Sequence, residues 1–289
     1  MSQFHPAQWG SQYRLIAAEK WKAKSAAMGK AVTKALVEYA RPLPGMTVLD
    51  LASGTGEPGI SLAERVGPQG SVTAVDQSAE LLEIAAERAR QRKLAHFTTR
   101  QADVHALPFA NGSFDLAACR FGVMFFADPT LALTELRRVL KPGARACFVA
   151  WGRFEQPYWQ TTMKIVHRYA GGPMLSADGA DPFRFSAPGS LTAVLGASGF
   201  QEMEEKTCNL PWTWPGDAEE VFEYACSVSA PFRSMLERVA EATWPAIRAE
   251  ATAAIEQYRV GNEIRFGADI VLASGTAPTR QNRAYGGPR

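Results

Sequence analysis

Short apolar runs alternate with helical patterns between residues 46 and 151, and this alternation restricts the possible folds more than any other feature. The strand-like runs are MTVLDLA (46–52), SVTAVD (71–76), a run ending near Asp103, FDLAACR (114–120) and ARACFVAW (144–151). Helical patterns of 10–15 residues separate most of these runs. Strands joined by such helices form parallel β-α-β units with right-handed crossovers. The sequence therefore predicts an α/β fold with a doubly wound, mainly parallel sheet.

A glycine cluster follows the first strand and precedes a helical pattern at 57–66. Gly54-Thr55-Gly56-Glu57-Pro58-Gly59 matches G-x-G-x-x-G, in which missing side chains let the backbone approach a ligand closely. A purely structural glycine turn has the same composition. The motif therefore indicates a ligand-binding loop only in combination with the neighbouring sequence features.

Three aspartates stand at the ends of successive predicted strands: Asp50, Asp76 and Asp103. All three would line the carboxyl edge of one sheet, where open α/β sheets bind their ligands. An acidic residue after the second strand suits a ribose diol, which is common to nicotinamide dinucleotides and other adenosine ligands. Asp50 beside the glycines favours a ligand with a cationic amino or sulfonium group over a pyrophosphate.

Four ordered motifs resemble the class I S-adenosylmethionine-dependent methyltransferases, and within them the ubiquinone and menaquinone biosynthesis methyltransferases. VLDLASGTG (48–56) is similar to the first motif of the family, V-L-D-x-G-x-G-T-G, and AVDQS (74–78) to its second. DVHALPFANGSFD (103–115) resembles the third, and LTELRRVLKPGA (133–144) the helix and turn that follow. The chain departs from the family at Ala52 and Ala144, where glycine is usual.

The resemblance implies a Rossmann-like, seven-stranded sheet in which 201–210 and 264–274 form an antiparallel edge pair. It also implies that S-adenosylmethionine is the methyl donor and S-adenosylhomocysteine the product. By this resemblance, the cofactor-binding loop consists of Asp50, Ala52, Ser53, Gly54 and Gly56. The two glycines would contact the methionine moiety, and Asp50 would order the loop. Asp76 would hold the ribose and Gln77 the adenine face. Asp103 and Val104 would contact the adenine edge, and Arg120-Phe121 would close the pocket.

An N-terminal helix covers the cofactor in related members, which makes Tyr13 and Trp21 candidate contacts. The alternative is that both residues are ordinary core aromatics on an amphipathic helix.

The domain organisation predicted from these patterns assigns 1–45 to an N-terminal helical cap segment and 46–151 to the cofactor-binding core. The remainder divides into a cap insertion (152–190), completion of the core (191–210 and 260–277), a helical cap insertion (211–259) and a tail (278–289).

Five of the seven tryptophans lie at or beyond the end of the fifth strand. Aromatic side chains of this kind line small-molecule pockets, or they form the core of a helical cap. The residues predicted to contact an apolar or aromatic methyl acceptor are Trp151, Tyr158, Trp159, Phe183 and Trp212. His167 is the candidate base if a proton must be removed, and a structural role is the alternative for this histidine. His105 is predicted to be a surface residue.

Composition excludes several other classes. Lysine plus arginine number 31 against 29 aspartates and glutamates, so no global charge favours nucleic acid. No apolar run reaches the ~20 residues of a membrane span, and the first residues do not resemble a secretory signal, so we expect a cytoplasmic protein. The four cysteines and four histidines show no metal-ligand spacing, so no metal is expected. The sequence leaves the oligomeric state open.

The sequence thus predicts an enzyme that moves a methyl group from S-adenosylmethionine to a small apolar or aromatic molecule by in-line displacement. Two alternatives stay open at this stage. One is a nicotinamide-dependent oxidoreductase using the same glycines, and the other is a protein that binds S-adenosylmethionine without catalysis.

Overall fold

The computed structural model describes residues 20–279 except 22 and 177–180. Tyr13 and the residues of the tail from 280 onward lie outside this part of the chain. Among the described residues, no helix combines the length and apolar character that crossing a bilayer requires.

The structure is built on one mixed sheet. Its strands are β1 (Thr47–Leu51), β2 (Ser71–Asp76), β3 (Phe97–Gln101), β4 (Phe114–Arg120), β5 (Leu140–Trp151), β6 (Gln201–Pro215), β7 (Arg259–Val260) and β8 (Glu263–Thr276). The order across the sheet is β3-β2-β1-β4-β5-β8-β6, and the two-residue β7 pairs with β8 off this path. Strands β1 to β5 are parallel, whereas β8 is antiparallel to both β5 and β6.

Helices cover both faces of the sheet and its carboxyl edge. Those of the core are α1 (Lys30–Ala40), α2 (Gly59–Val66), α3 (Ala79–Gln91), α4 (Pro129–Val139) and α7 (Ser190–Ala197). The others are α5 (Pro157–Thr161), α6 (Met163–Ala170), α8 (Ala218–Val228), α9 (Arg233–Glu237) and α10 (Trp244–Glu256). Residues 23–28 are also helical and precede α1.

Local sequence signals explain where the core helices begin. The Ser78 hydroxyl accepts a hydrogen bond from the backbone N–H of Leu81 at 3.2 Å, which caps α3. The Asp128 carboxylate does the same for Leu131 at 2.9 Å, and Pro129 occupies the first turn of α4, where its missing N–H costs nothing. Ser78 and Asp128-Pro129 are helix-start signals in the sequence, so both caps follow from local patterns.

The central strands are buried on both faces, which is why their sequences are continuously apolar. Val48 and Leu49 of β1 are fully buried, as are Ile60 and Leu62 of α2, which pack against the sheet. This packing brings the ends of β1, β2 and β4 together at one edge, in register along Asp50, Ala74 and Ala118.

The predicted antiparallel edge pair is confirmed but extends further than expected. β6 runs to Pro215, beyond the predicted end at residue 210, and pairs with β8 up to Glu263. Trp212 and Trp214 alternate along this extension opposite Phe266 and Ile264, and apolar residues at a period of two continue a strand. The extension carries Trp212 above the carboxyl ends of the parallel strands.

Candidate active site

The glycine loop is fixed by the carboxylate of Asp50. Its Oδ2 accepts hydrogen bonds from the Ser53 hydroxyl at 2.5 Å and from the Gly59 backbone N–H at 2.9 Å, while Oδ1 is buried without a partner. Complete burial raises the pKa of Asp50 to about 7, although these two hydrogen bonds and the nearby Arg120 charge act in the opposite direction. The carboxyl group therefore joins the end of β1 to the start of α2 directly.

Asp76 extends the same network to the second strand. One oxygen accepts from the Gly54 N–H at 2.9 Å and the other from the Ser78 N–H at 3.0 Å. Gly54 has a φ of 55° and open space where a side chain would stand, so its backbone is available to a ligand. The half-buried carboxylate of Asp76 thus lies beside the exposed edge of the glycine loop.

Asp103 and Gln77 lie on the neighbouring loops. Asp103 accepts from the backbone N–H of His105 at 2.9 Å and from its ring Nδ1 at 2.6 Å, and these two hydrogen bonds lower the pKa of Asp103. Gln77 is exposed, and its backbone oxygen accepts from Gln101 at 2.8 Å. Val104 is buried. The carboxylates of Asp76 and Asp103 therefore follow two adjacent strands.

Ala52 adopts a left-handed conformation with a φ of 51°, which explains why glycine is usual at this position in the family that the sequence resembles. Its methyl group faces Gly122, where an added Cβ would lie only 2.5 Å from it. Glycine at 122 therefore makes room for alanine at 52. The neighbouring Phe121 also has a positive φ, 56°, so both loops bend sharply at this contact.

Two arginines, Arg88 and Arg120, hold the loops, and of these the sequence indicated only Arg120. Arg88 of α3 donates to the Thr55 carbonyl oxygen and lies 3.3 Å from the Glu57 carboxylate. Arg120 donates to the Thr33 hydroxyl of α1 at 3.0 Å, while its Nε is buried without a partner. Arg120 was predicted to close the pocket, but its link to α1 was not. Neither the contact of Arg88 with the glycine loop nor that of Arg120 with α1 can be predicted from helical spacing in the sequence.

A cavity of about 240 Å³ lies between the glycine loop and the helices that follow β5 and β6. Polar and charged residues lie at the loop end, and aromatic and apolar residues line the rest. Among the described residues the lining is Ser25, Ala26, Thr55, Glu57, Arg88, Arg120, Phe121, Phe125, Trp151, Tyr158, Trp159, Pro182, Trp212, Tyr224, Val228, Ser229, Pro231 and Phe232.

The aromatic wall is a connected cluster. Phe121 stacks on Trp151 with ring centroids 4.3 Å apart, and Trp151 meets Trp159 and Trp212 edge to face at 5.3 and 5.1 Å. Tyr158 contacts Trp159 at 4.8 Å, and burial raises the pKa of its phenol well above the usual value. Four of the five residues predicted to contact the acceptor therefore line one cavity.

The fifth predicted residue, Phe183, stands behind the wall. Its ring lies 5.5 Å from that of Trp159 and 5.3 Å from that of Phe154, and it is not among the lining residues. Trp21 is 5% exposed and packs on Trp214 at 5.4 Å, also outside the cavity lining.

His167 does not reach this cavity. Its Nε2 lies 2.9 Å from the carbonyl oxygen of Gly172, beside the C-terminus of α6. The histidine is half-buried and absent from the lining. The structure thus separates the predicted base from the aromatic residues of the cavity.

A larger cleft of about 810 Å³ opens between α1 and the outer faces of α2 and α3. Charged side chains dominate it, including Lys30, Glu64 and Arg92. None of the tryptophans is among its described lining residues, whereas three of them line the smaller cavity. We therefore place the site at the smaller cavity, where open α/β sheets bind ligands.

Comparisons with known proteins show the family to which the chain belongs. A methyltransferase-domain family matches residues 42–164. The chain is 34% identical to the ubiquinone/menaquinone biosynthesis C-methyltransferase UbiE of Xanthomonas campestris over 184 residues, 59% of this chain and 72% of that protein. It is 40% identical to the 2-phytyl-1,4-naphtoquinone methyltransferase of Trichormus variabilis over 126 residues, 43% of this chain and 55% of that protein.

A crystal structure of a SAM-dependent methyltransferase from Aquifex aeolicus superposes with a TM-score of 0.51 at 19% identity, covering 72% of this chain and 94% of that one. The chain belongs to the S-adenosylmethionine-dependent methyltransferases with the class I fold. Within them it is similar to the quinone C-methyltransferases of the UbiE group. The predicted family, fold class and cofactor are confirmed, and none of these relatives supports a nicotinamide-dependent oxidoreductase.

The residues at the strand ends fit S-adenosylmethionine. The open backbone at Gly54 and the carboxylates of Asp76 and Asp103 offer what a methionine moiety, a ribose and an adenine edge require. When bound, the cofactor supplies a methyl group on a positively charged sulfur. In the described part of the chain, no group of three or more His, Cys, Asp or Glu side chains could hold a metal ion.

Proposed function

We propose that this chain methylates a small aromatic molecule of the quinone or phenol class, bound in the cavity beside the glycine loop. The observation that carries the proposal is this aromatic-lined cavity at the carboxyl ends of the strands. One relative is named as a naphthoquinone methyltransferase and the other as a C-methyltransferase of ubiquinone and menaquinone biosynthesis, which supports the same chemical class.

The cofactor roles predicted for individual residues belong to this proposal. Gly54 and Gly56 face the methionine moiety, Asp76 holds the ribose hydroxyls, and Gln77, Asp103 and Val104 surround the adenine. Asp50, Ala52 and Ser53 shape the loop, and Arg120 and Phe121 close the cofactor pocket. The hydrogen bonds that the backbone N–H groups of Gly54 and Gly59 donate to Asp76 and Asp50 support these assignments.

Catalysis in such a site rests on positioning. Transfer from a sulfonium needs the acceptor atom in line with the sulfur–methyl bond, and a wall of aromatic rings holds a flat molecule and excludes water. Glu57 is the one carboxylate among the described lining residues, and it lies beside Arg88. The site therefore suits an acceptor that is already electron-rich, such as an ionised phenol or a quinol carbon.

The cap that sets acceptor specificity consists of the N-terminal helical segment together with residues 152–190 and 211–259. Contributions from Ser25, Tyr158 and Ser229 to the cavity wall support this division of roles. The cytoplasmic location remains a prediction from sequence.

A methyl-transfer assay tests the proposal. The protein is incubated with S-adenosylmethionine and a panel of phenols, quinols and amines, and S-adenosylhomocysteine and product masses are measured. We expect transfer to aromatic oxygen-bearing acceptors. Binding of S-adenosylmethionine without transfer to any acceptor would instead indicate a non-catalytic binding protein.

Variants at the cap separate acceptor binding from cofactor binding. Tyr158→Ala and Trp212→Ala should weaken acceptor binding while leaving the S-adenosylmethionine Kd within a few fold. Trp214→Phe is the matched control, because Trp214 is buried on the same strand but its indole N–H donates to Glu220 at 3.1 Å. A loss confined to cofactor binding would show that the substrate site lies elsewhere.

A further inference from the structure

Three polar groups at the cap end of the cavity have no hydrogen-bond partner. They are the indole N–H groups of Trp159 and Trp212 and the hydroxyl of Ser229. Their residues are only 6%, 7% and 5% exposed, and all three line the cavity. A buried donor without a partner costs about 1–3 kcal/mol, so natural structures rarely contain a group of them.

Neighbouring polar groups of the cap are hydrogen-bonded. The Trp214 indole donates to Glu220, and the Ser227 hydroxyl donates to the Glu223 carbonyl oxygen at 2.6 Å. Trp214 lies two residues from Trp212, and Ser227 two residues from Ser229. Among the described cap residues, three of the four unpartnered buried groups line the cavity, and the fourth is the indole N–H of Trp244.

We propose that the indole N–H groups of Trp159 and Trp212, with the Ser229 hydroxyl, receive the oxygen atoms of the methyl acceptor. This inference rests on the proposed function and narrows its substrate class. An indole N–H only donates, so its partner must offer a lone pair, as a quinone carbonyl or an ionised phenol does. The same tryptophan rings supply the flat wall, so ring and oxygen are recognised together.

The charged groups around the cavity favour a methyl acceptor that carries oxygen atoms. Arg120 also lines the cavity, and its Nε is a further buried donor without a partner. The lining thus offers several donors, and its carboxylate, Glu57, is engaged by Arg88. An amine acceptor in its cationic form would find no free carboxylate among the described lining residues, whereas an oxygen with lone pairs is well matched.

The test compares two probes that differ only in their oxygens. 2,3-Dimethyl-1,4-naphthoquinone carries two carbonyl groups, and methyl groups block its reactive ring carbons. 2,3-Dimethylnaphthalene has the same carbon skeleton but lacks the two carbonyl oxygens. Binding of each to the protein saturated with S-adenosylhomocysteine is followed by ligand-observed NMR titration. Trp159→Phe and Trp212→Phe keep an aromatic wall but remove the N–H, and Ser229→Ala removes the hydroxyl.

We expect each Phe variant, and Ser229→Ala, to weaken quinone binding by about threefold to tenfold and to change hydrocarbon binding by less than twofold. Trp244→Phe and Ser227→Ala are the controls and should leave both unchanged. The Trp244 indole is likewise unpartnered but lies outside the cavity lining, and Ser227 is bonded to the backbone.

Equal losses for both probes would show that the tryptophans act only as a wall, and this outcome would overturn the inference. So would unchanged quinone affinity in all three variants, or a wild-type protein that binds S-adenosylhomocysteine but not the quinone. Failure of the proposed function looks different, because then no acceptor in the methyl-transfer panel is methylated whatever these affinities are.

Discussion

At the scale of single residues, Asp76 connects the glycine loop to the edge where the cofactor ribose is expected. Its two oxygens accept from the backbone of Gly54 and Ser78, which fixes the carboxylate beside the loop. A carboxylate held in this way is already oriented for ribose hydroxyls, so its contribution to binding costs little further ordering.

Asp76→Ala should therefore weaken S-adenosylmethionine binding by roughly 1–3 kcal/mol, the scale of a lost charge-assisted hydrogen bond. Titration calorimetry measures it, with NADH as a comparison ligand that should not bind. Asp115→Ala is the control, because Asp115 also accepts a backbone N–H, from Thr47, but at the opposite end of the strands. An unchanged Kd for Asp76→Ala would remove Asp76 from the ribose role.

Asp50 makes the stability of the fold depend on pH. Burial raises its folded pKa to about 7, whereas the unfolded carboxyl group titrates near 4. Between these values the folded state binds more protons than the unfolded state, so this group destabilises the fold as pH rises toward 7. The full penalty is present above the folded pKa.

Asp50→Asn removes this penalty, so its stability relative to wild type should rise by about 2–3 kcal/mol between pH 5 and pH 8. Urea unfolding at the two pH values measures the difference. Asp115→Asn should show no such change, because hydrogen bonds from Lys141 and Thr47 hold the pKa of Asp115 below its usual value despite partial burial. A pH-independent difference for Asp50→Asn would contradict the assigned burial effect.

Among the elements, the helical segment before α1 packs closely on the end of β4. A Cβ at Gly29 would overlap the guanidinium of Arg120, which also bonds to Thr33 of α1. Gly29→Ala should thus displace Arg120 and lower the unfolding free energy by about 1–3 kcal/mol. Urea unfolding checks this against Gly196→Ala, where the added methyl group would stand 3.5 Å from Met203 without a clash. Equal stability of both variants would argue against this contact.

Helix α6 carries His167, and its geometry favours a structural role. The ring contacts the Gly172 carbonyl oxygen at 2.9 Å just after the helix ends. His167→Ala should lower stability by about 1 kcal/mol and change turnover by less than a few fold, whereas loss of a catalytic base costs about 10²–10⁴ in rate. Steady-state kinetics and a thermal melt of the same variant distinguish a structural role from a catalytic one. A hundredfold loss of turnover at unchanged stability would show that His167 acts as the base.

Sequence signals predicted the elements that local physics controls. The caps at Ser78 and Asp128, the glycine loop and the five parallel strands all follow from short-range patterns. The helical cap insertion predicted at 211–259 begins instead with the end of β6 and continues as three α-helices and two short 3-10 helices, because tertiary packing decides where each helix ends. The contacts of Arg88 with Thr55 and of Arg120 with Thr33 join residues far apart in the chain, and no single sequence reports such pairs.

For the whole molecule, the arrangement of sheet and cap determines where the acceptor binds. The antiparallel pairing of the edge strands was predicted through the family resemblance, and the sheet confirms it. The extension of β6 brings Trp212 into ring contact with Trp151 of β5 in the aromatic wall, and a shorter edge strand would leave the cavity open on that side. Cavity position is thus a property of the whole fold.

The crystal structure of a ternary complex with S-adenosylhomocysteine and 2,3-dimethyl-1,4-naphthoquinone tests this account most directly. We predict the cofactor along Gly54 and Asp76, with the quinone ring against the aromatic wall that contains Trp151 and Trp212 and its oxygens at the indole N–H groups of Trp159 and Trp212. A quinone seated in the charged cleft between α1 and α3, or a cofactor away from the glycine loop, would contradict it.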